Sequence, residues 1–247
     1  MKKSRFIKRL IAIVIAILWN TDIQAQKAKE FYATAGWMYL APQSKSSTLR
    51  MISTGSSSVD VELPDTAVRL SKSNTLGFSG GYFFTDHWAA ELTAGIPPEF
   101  DIKGWDVLSP LGKIAKTTAW TPILQVKYRQ PIIPKLSISA SVGATYCWFT
   151  NSKVVNDQLD VMLGGPTDLR VSGAFTPVFS SGLNYTITDR WFVGGNFTVI
   201  PLKVDAYLTT HNQTTNQIDK YKIKVDLNPI ITYVSVGYVF KKKVKNN

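Results

Sequence analysis

Residues 136–149, LSISASVGATYCWF, alternate between apolar and polar side chains more regularly than any other part of the chain. One face carries Leu136, Ile138, Ala140, Val142, Ala144, Tyr146 and Trp148. The other face carries Ser137, Ser139, Ser141, Gly143, Thr145 and Cys147, and Phe149 alone departs from the pattern. A period of two is that of a β-strand with one apolar and one polar face. The segment exceeds the five or six residues of an ordinary globular strand and suits a tilted membrane-spanning strand of about 9–11 residues with overhang.

Further segments of the chain repeat this alternation. They are FYATAGWMYL at 31–40, TLGFSGGYFF at 75–84, WAAELTAGI at 88–96, AWTPILQVKY at 119–128, 174–187, 191–204 and 230–240. Together with 136–149 they make eight predicted strands, and an even number is expected of a single-chain outer-membrane barrel.

The connections between these segments alternate in length. Long connections at 41–74, 97–118, 150–173 and 205–229 alternate with short ones at 85–87, about 129–135, and 188–190. Outer-membrane barrels have short periplasmic turns and longer outer loops. We therefore predict an all-β, up-and-down antiparallel transmembrane barrel over 26–240, with both termini on the periplasmic side. The loops at 41–74 and 205–224 read as polar, with no obvious binding patch.

Aromatic residues cluster near both ends of the predicted strands. Near the periplasmic ends lie Phe84, Trp88, Tyr128, Tyr185, Trp191, Tyr238 and Phe240. Near the opposite ends lie Trp37, Tyr39, Trp120, Trp148 and Phe175. Two belts of aromatic rings at the headgroup levels are typical of a membrane barrel.

The first 25 residues have the composition of a secretory signal. Basic residues within 2–9 precede an apolar run at 10–19, and the polar stretch 20–25 ends in a small residue. That apolar run is too short for a spanning helix, which needs about 20 residues. We expect residues 1–25 to be a signal peptide that is removed. The export that this implies places the protein in a Gram-negative outer membrane.

The composition of the chain argues against several other classes of protein. No later stretch approaches 18 consecutive apolar residues, which excludes a helical membrane protein. Part of the formal net charge of +11 lies in a basic tail, KKKVKNN at 241–247, which is more typical of a solvated end than of a nucleic-acid site. The single cysteine, Cys147, excludes an internal disulfide framework.

The order and spacing of several segments resemble the OmpW family of small outer-membrane proteins. These segments are FYATAGWMYLAP at 31–42, LGFSGGYFFTDHWAAELTAGIP at 76–97, WTPILQVKY at 120–128, SVGATYCWF at 141–149, GLNYTITDRWFVGGNF at 182–197 and VDLNPIITYVSVGYVF at 225–240. The resemblance implies an eight-stranded barrel that passes small hydrophobic molecules through a narrow, largely apolar interior, with release sideways through the wall. It also implies that some members serve as receptors for bacteriocins or phage. The chain departs from the family pattern in the tail after Phe240 and in Thr34, where many relatives would have a basic residue.

The alternation alone predicts which side chains line the lumen. Towards the periplasmic half they are polar or small: Thr34, Ser79, Gly81, Glu91, Gln125, Lys127, Ser137, Ser139, Asn184 and Ser235. Towards the outer half they are apolar and form a candidate gate and ligand path: Met38, Leu40, Ile123, Phe149, Val178, Ile200, Leu202 and Tyr233. An eight-stranded barrel is just wide enough for its own side chains to fill, so a continuous water channel is not expected. The apolar half suits either a small hydrophobic ligand or a packed plug, and the residues alone favour neither.

Three prolines and two charges single out further positions. Pro122, Pro177 and Pro201 lie within predicted strands, where each removes a ladder hydrogen bond and could mark a lateral opening in the wall or a position above the membrane. Glu91 and Lys127 point inward from neighbouring strands, and we expect them to form an ion pair because isolated charges in a narrow lumen are costly. Arg129 lies near both.

Catalysis, cofactors and metal sites are not expected. A barrel enzyme of this size needs a histidine beside a serine or an acidic partner. The only two histidines are His87, in a predicted tight turn, and His211, in a polar loop. The expected partners are outer-membrane lipid and lipopolysaccharide, a small hydrophobic ligand, and the barrel assembly machinery through the C-terminal strand. Two functions stay open: passage of small hydrophobic molecules, or a structural or recognition barrel with a plugged lumen.

Overall fold

The computed structural model describes residues 28–241, so the predicted signal peptide and most of the basic tail lie outside the described residues. The elements, in chain order, are β1 (Phe31–Ala41), β2 (Lys45–Ser46), β3 (Leu49–Thr54), β4 (Ser57–Leu63), β5 (Thr66–Leu70), β6 (Ser73–Phe83), β7 (Trp88–Gly95), β8 (Glu99–Asp106), a 3-10 turn (Ser109–Leu111), β9 (Lys113–Trp120), β10 (Ile123–Ile133), β11 (Leu136–Val154), α1 (Asp157–Leu163), β12 (Thr167–Val171), β13 (Ala174–Thr186), β14 (Trp191–Val199), β15 (Lys203–Asn212), β16 (Gln217–Asp226) and β17 (Ile230–Phe240).

Eight strands close into an antiparallel barrel, as predicted. Their order around the wall is β10, β7, β6, β1, β17, β14, β13 and β11, and β11 pairs with β10 to complete the ring. We call the end with the three short connections, where Phe31 pairs with Phe240, the turn end, and the opposite end the loop end. Closure leaves no free edge in the barrel wall, which is the condition for a sheet to cross a bilayer.

The outward face of the barrel is apolar and exposed. Leu92, Leu124, Val142 and Phe179 are each more than half exposed, which is expected of side chains that face lipid. Aromatic pairs flank this band in the predicted places. At the turn end the rings of Trp191 and Tyr238 lie 5.0 Å apart, as do those of Trp88 and Tyr128. At the loop end the rings of Trp120 and Trp148 stack at 5.7 Å.

The long loops form an ordered β extension above the barrel. The interpretation of 41–74 and 205–224 as polar segments without an apolar patch is therefore wrong. Strands β12, β15, β16, β3 and β4 form one sheet, and β9, β8 and β5 continue from β11. The two parts bury one apolar core. Strand β16 shows why the core escaped notice, because exposed Lys220 and Lys224 alternate with buried Tyr221, Ile223 and Val225. The charges lower the mean hydropathy while the buried face stays apolar.

Two predicted strands are each divided into two strands in the structure. The segment 119–128 is divided, since β9 ends at Trp120 and β10 begins at Ile123. Pro122 cannot donate to a ladder, and the two parts pair with different strands, β9 with β8 and β10 with β7. Likewise 191–204 divides at residues 200–202, around Pro201, where β14 ends and β15 begins.

The single α-helix of the described residues is short and local. The side chain of Asn156 caps its first turn by accepting a hydrogen bond from the amide of Gln158 at 2.9 Å, while Leu159 and Leu163 face the extension core. Within residues 28–241, no helix has both the length and the apolar character needed to cross a membrane.

Candidate functional site in the barrel lumen

The centre of the lumen holds a buried carboxylate with three donors. Glu91, on β7, accepts hydrogen bonds from the Tyr32 hydroxyl at 2.5 Å and from the Gln125 amide at 2.7 Å. The Lys127 ammonium group also donates to it and forms an ion pair, and both side chains are less than one-tenth exposed. The structure therefore brings the two predicted charges together, which offsets the cost of burying each.

Arg129 lies on the turn-end side of this pair. Its Nε donates to the Ser137 hydroxyl at 3.0 Å, and its guanidinium carbon lies 5.7 Å from the centre of the Phe83 ring. Both Arg129 and Ser137 are buried, so the contact holds the Arg129 side chain against the barrel wall at the turn end.

Hydrogen bonds extend from Glu91 towards one wall of the barrel, and a second hydrogen-bonded group lies on the other side. On one side Gln125 accepts from the Ser180 hydroxyl at 3.2 Å, and Ser180 contacts the Thr198 hydroxyl at 2.9 Å. On the other side Thr34 contacts Ser79 at 2.5 Å and Tyr233 at 2.8 Å. We call this set the polar layer: Thr34, Ser79, Glu91, Gln125, Lys127, Ser180, Thr198 and Tyr233.

An aromatic cap closes the lumen beneath the polar layer. Its buried members are Tyr32, Phe83, Ala89, Phe192 and Val239. The Tyr32 ring lies 5.2 Å from that of Phe83 and 6.2 Å from that of Phe192. The sequence predicts polar or small side chains in the lumen at this end, and the alternation did not reveal the cap. The Phe192 ring lies over Gly237 and the Tyr32 ring lies over Gly81. A lumen-facing aromatic residue opposite a glycine on the neighbouring strand is therefore the sequence pattern that could have predicted the cap.

Apolar cavities lie above the polar layer. A mid-lumen cavity of about 50 Å³ is lined by Met38, Leu40, Ile123 and Tyr233 among others. A mouth cavity of about 30 Å³ shares Leu40 with it and adds Phe149, Ile200 and Leu202. An extension cavity of about 60 Å³ shares Phe149 with the mouth and continues between the two parts of the extension. Beneath these, a lower cavity of about 20 Å³ lies between the polar layer and the aromatic cap.

Seven of the eight predicted apolar path residues therefore line these adjoining cavities. The eighth, Val178, also faces inward and is fully buried in the wall, in register with Gly143.

The barrel wall is interrupted beside the mid-lumen cavity. The ladder between β7 and β10 runs from the pair Trp88–Tyr128 to the pair Thr93–Ile123. Further up, the Ala119 amide donates to the Pro98 carbonyl at 3.1 Å. Between these two points lie 94–97 on one side and 120–122 on the other. The mid-lumen cavity is lined here by Ala94, an exposed residue on the outer face, as well as by Gly95 and Pro97.

The three singled-out prolines are placed differently. Pro122 lies at this interruption, and its carbonyl accepts a hydrogen bond from the Thr145 hydroxyl at 2.7 Å. Pro177 lies within an unbroken register between β13 and β11, opposite Ala144. Pro201 lies beyond the end of β14, and its carbonyl accepts from Thr176 at 2.7 Å. The structure thus places one of the three beside the gap.

The two histidines lie apart from the lumen cavities. His87 is in the turn between β6 and β7, where its Nδ1 lies 3.0 Å from the Arg129 carbonyl oxygen, and His211 is exposed at the end of β15. Among residues 28–241, no three His, Cys, Asp or Glu side chains are grouped so that they could hold a metal ion.

Comparisons with known proteins agree with this architecture. A search of curated protein sequences found no significant match. Among solved structures, the chain is similar to the outer membrane protein OprG from Pseudomonas aeruginosa, with a TM-score of 0.77 and 19% identity over 90% of this chain and 100% of that one. It is also similar to the outer membrane protein AlkL in lipid bilayers, with a TM-score of 0.58 and 18% identity over 92% and 99% of the two chains. Outer membrane protein W of E. coli gives a TM-score of 0.50 and 22% identity over 87% and 100%.

The family comparison covers almost the whole described chain. The model of the OmpW family matches residues 27–240, which include every strand of the barrel and of the extension. The protein therefore belongs to the OmpW family and is a β-barrel of the bacterial outer membrane.

Proposed function

We propose that the protein takes up small hydrophobic molecules at the loop end and releases them sideways into the bilayer. One observation carries this proposal: the mid-lumen cavity is lined both by lumen-facing Met38 and Ile123 and by Ala94 on the outer face. The cavity therefore meets the wall at the interruption between β9 and β10, where a route from the lumen to the lipid would open. The resemblance to the OmpW family implies the same kind of cargo.

The walls above the polar layer select for apolar cargo. The extension cavity is lined by aliphatic side chains, Phe149, and two threonines. Those threonine hydroxyls are engaged, since Thr66 donates to the Leu63 carbonyl at 2.6 Å and Thr117 lies 2.6 Å from the Ser152 hydroxyl. A strongly polar solute would lose its hydration there without replacement hydrogen bonds, at a cost of several kcal/mol.

The turn end favours sideways release over passage along the barrel axis. A molecule that continued along the axis would have to break the hydrogen bonds of Glu91 and then displace the rings of the aromatic cap. Leaving at the wall interruption requires neither step, and the destination is apolar.

The orientation and surroundings follow from the same proposal. We infer that the loop end faces outward and the turn end, with both chain termini, faces the periplasm. Outer-membrane lipid and lipopolysaccharide would then surround the exposed apolar band, and β17 would be the strand that the barrel assembly machinery recognises. We infer no catalytic role.

Uptake of n-octane by cells with a lipopolysaccharide outer leaflet tests the apolar route. Phe149→Glu places a charge between the mouth and extension cavities and should slow uptake roughly ten-fold, because the carboxylate holds water in an apolar passage. Val161→Glu is the matched control, since Val161 is 79% exposed on α1. Equal uptake by both variants and the wild type would favour the alternative, a structural or recognition barrel with a plugged lumen.

Blocking the wall interruption tests the sideways step. Thr121 is half-buried and lines the mid-lumen cavity at the break between β9 and β10, so Thr121→Trp should fill the opening and slow uptake. Thr118→Trp is the control, because Thr118 is also half-buried but faces outward on β9. If Thr121→Trp keeps full uptake while Phe149→Glu loses it, release does not use this gap.

A further inference from the structure

The mid-lumen cavity differs from the two cavities above it in the polar groups at its base. Besides Met38 and Ile123, it is lined by members of the polar layer and by Thr93 and Asn196. A molecule that fills it would therefore have apolar walls around one end and hydrogen-bonding groups around the other.

Most of these polar groups are already engaged with one another. Tyr233 contacts Thr34 and donates to the Gly77 carbonyl at 3.1 Å. Gln125 and Ser180 take part in the polar layer. Within residues 28–241, by contrast, the side chains of Thr93 and Asn196 make no hydrogen bond with another residue, although both line the cavity. They are the groups left open to a ligand.

Thr93 and Asn196 lie on opposite walls of the same cavity. Thr93 is on β7 and Asn196 on β14, and four steps separate these strands around the eight-stranded ring. Asn196 is opposite Gly182 on β13, and its side-chain oxygen occupies the space that a β-carbon at Gly182 would need. The Asn196 amide can therefore occupy this position only because Gly182 has no side chain.

The charge of the cavity restricts what these two groups can hold. Glu91 is the one ionisable acid or base, other than Tyr233, among the described residues that line it, and Glu91 is already paired with Lys127. An anionic group placed there would face the carboxylate without a counter-charge, and a cationic group would have to displace Lys127. A neutral group that donates and accepts hydrogen bonds meets neither cost.

We propose that the preferred cargo is a neutral amphiphile, with a hydroxyl or similar uncharged head hydrogen-bonded to Thr93 or to Asn196 and an apolar tail directed to the loop end. This rests on the proposed function and names its substrate class. From Asn196, β14 leads through Thr198 to Ile200 at the mouth cavity, roughly 13 Å along the strand. That length suits a medium-chain tail.

The test is equilibrium binding of four probes with the same eight-carbon chain to protein in lipid vesicles, corrected for uptake by protein-free vesicles. The probes are n-octane, octan-1-ol, octanoate and octylammonium. Octanol should bind roughly five-fold more tightly than octane, because one hydrogen bond of ordinary net strength is added. The two charged probes should bind more weakly than octanol.

Variants assign the preference to the proposed groups. Asn196→Leu combined with Thr93→Val should remove the advantage of octanol over octane, and octane binding that is still detectable shows that the cavity is intact. Asn184→Leu is the matched control, since Asn184 lines the lower cavity and lies outside the mid-lumen lining. The control should keep the wild-type preference.

The outcomes separate this inference from the proposed function. If octane and octanol bind equally to the wild type, or if octanoate or octylammonium binds best, the neutral-head site is wrong while apolar uptake stands. A preference for octanol that survives in the double variant also overturns the site. If none of the four probes binds, the proposed function itself fails.

Discussion

The two halves of the lumen are built from the same alternating strands but are filled differently. In the turn-end half, Glu91, Lys127 and Gln125 form a hydrogen-bonded layer over an aromatic cap. In the loop-end half, cavities of about 50, 30 and 60 Å³ follow one another, and apart from the polar base of the first their walls are mainly apolar. The turn-end half has one cavity of about 20 Å³.

This difference separates what holds the barrel closed from what leaves room for cargo. Protein interiors contain few voids because unfilled space forfeits packing contacts. A polar layer that is nearly fully hydrogen-bonded suits a fixed closure, whereas adjoining, mainly apolar voids suit a molecule that enters and leaves. The two halves should therefore respond in opposite ways to similar substitutions.

The largest expected effect is in the turn-end half. Lys127→Met leaves the Glu91 carboxylate buried without its counter-charge and should lower the free energy of unfolding by about 3–5 kcal/mol. Urea-induced unfolding of the barrel in lipid vesicles measures this. Combining it with Glu91→Gln removes both charges and should restore most of the loss. If the double variant lost as much as the two single variants together, the ion pair would not be what stabilises this layer.

The same small-to-larger change in each half gives a direct contrast. Ala89 is fully buried in the aromatic cap, so Ala89→Val overpacks it and should cost about 1–3 kcal/mol of unfolding free energy. Ala206 lines the extension cavity, so Ala206→Val fills space and should add about 0.5–1 kcal/mol while slowing n-octane uptake. Two variants that shift the urea midpoint in the same direction would contradict the contrast between the halves.

The smallest expected effect is a weakening of the extension at high pH. Burial, and secondly Asp219, raise the pKa of Tyr221 above 10.0, and hydrogen bonds to Asp205 and then Tyr207 raise the pKa of Lys222 above 10.5. Groups whose pKa is raised by folding stabilise the folded state below their unfolded pKa, and this stabilisation is lost as the pH rises through the folded pKa.

The contribution of these two groups to the unfolding midpoint of the wild type should therefore be constant up to about pH 10 and decrease above it. This decrease adds to any loss of stability that the barrel strands show at high pH. Tyr221→Phe should remove the larger part of that decrease, because Lys222 is partly exposed and solvent screens its contacts. An identical pH profile in the variant would mean that Tyr221 does not contribute.

The barrel and its lining could be predicted from sequence because both depend on a period of two. Alternation along β11 and its partners fixes which side chains face the lumen, and the lengths of the connections fix the topology. The extension was missed because charged residues such as Lys224 alternate with its buried face, so that whole segments read as polar loops.

The other features depend on which strands are neighbours. Phe192 can close the turn end because Gly237, on the adjacent strand, has no side chain to displace it. The wall interruption arises because β9 and β10 pair with different strands on either side of Thr121 and Pro122, and a proline in the sequence does not reveal a change of partner. Predicting the aromatic cap and the wall interruption therefore requires the strand register of the closed barrel.

The most direct test of apolar cargo in the loop-end half is solid-state NMR of the protein in bilayers with carbon-13-labelled n-octane. The account predicts magnetisation transfer from octane to the Met38 methyl group in the mid-lumen cavity and to Leu208 in the extension cavity, with none to Val239 in the aromatic cap. Transfer confined to lipid-facing residues such as Leu92 and Phe179 would show that octane stays in the membrane and would contradict it.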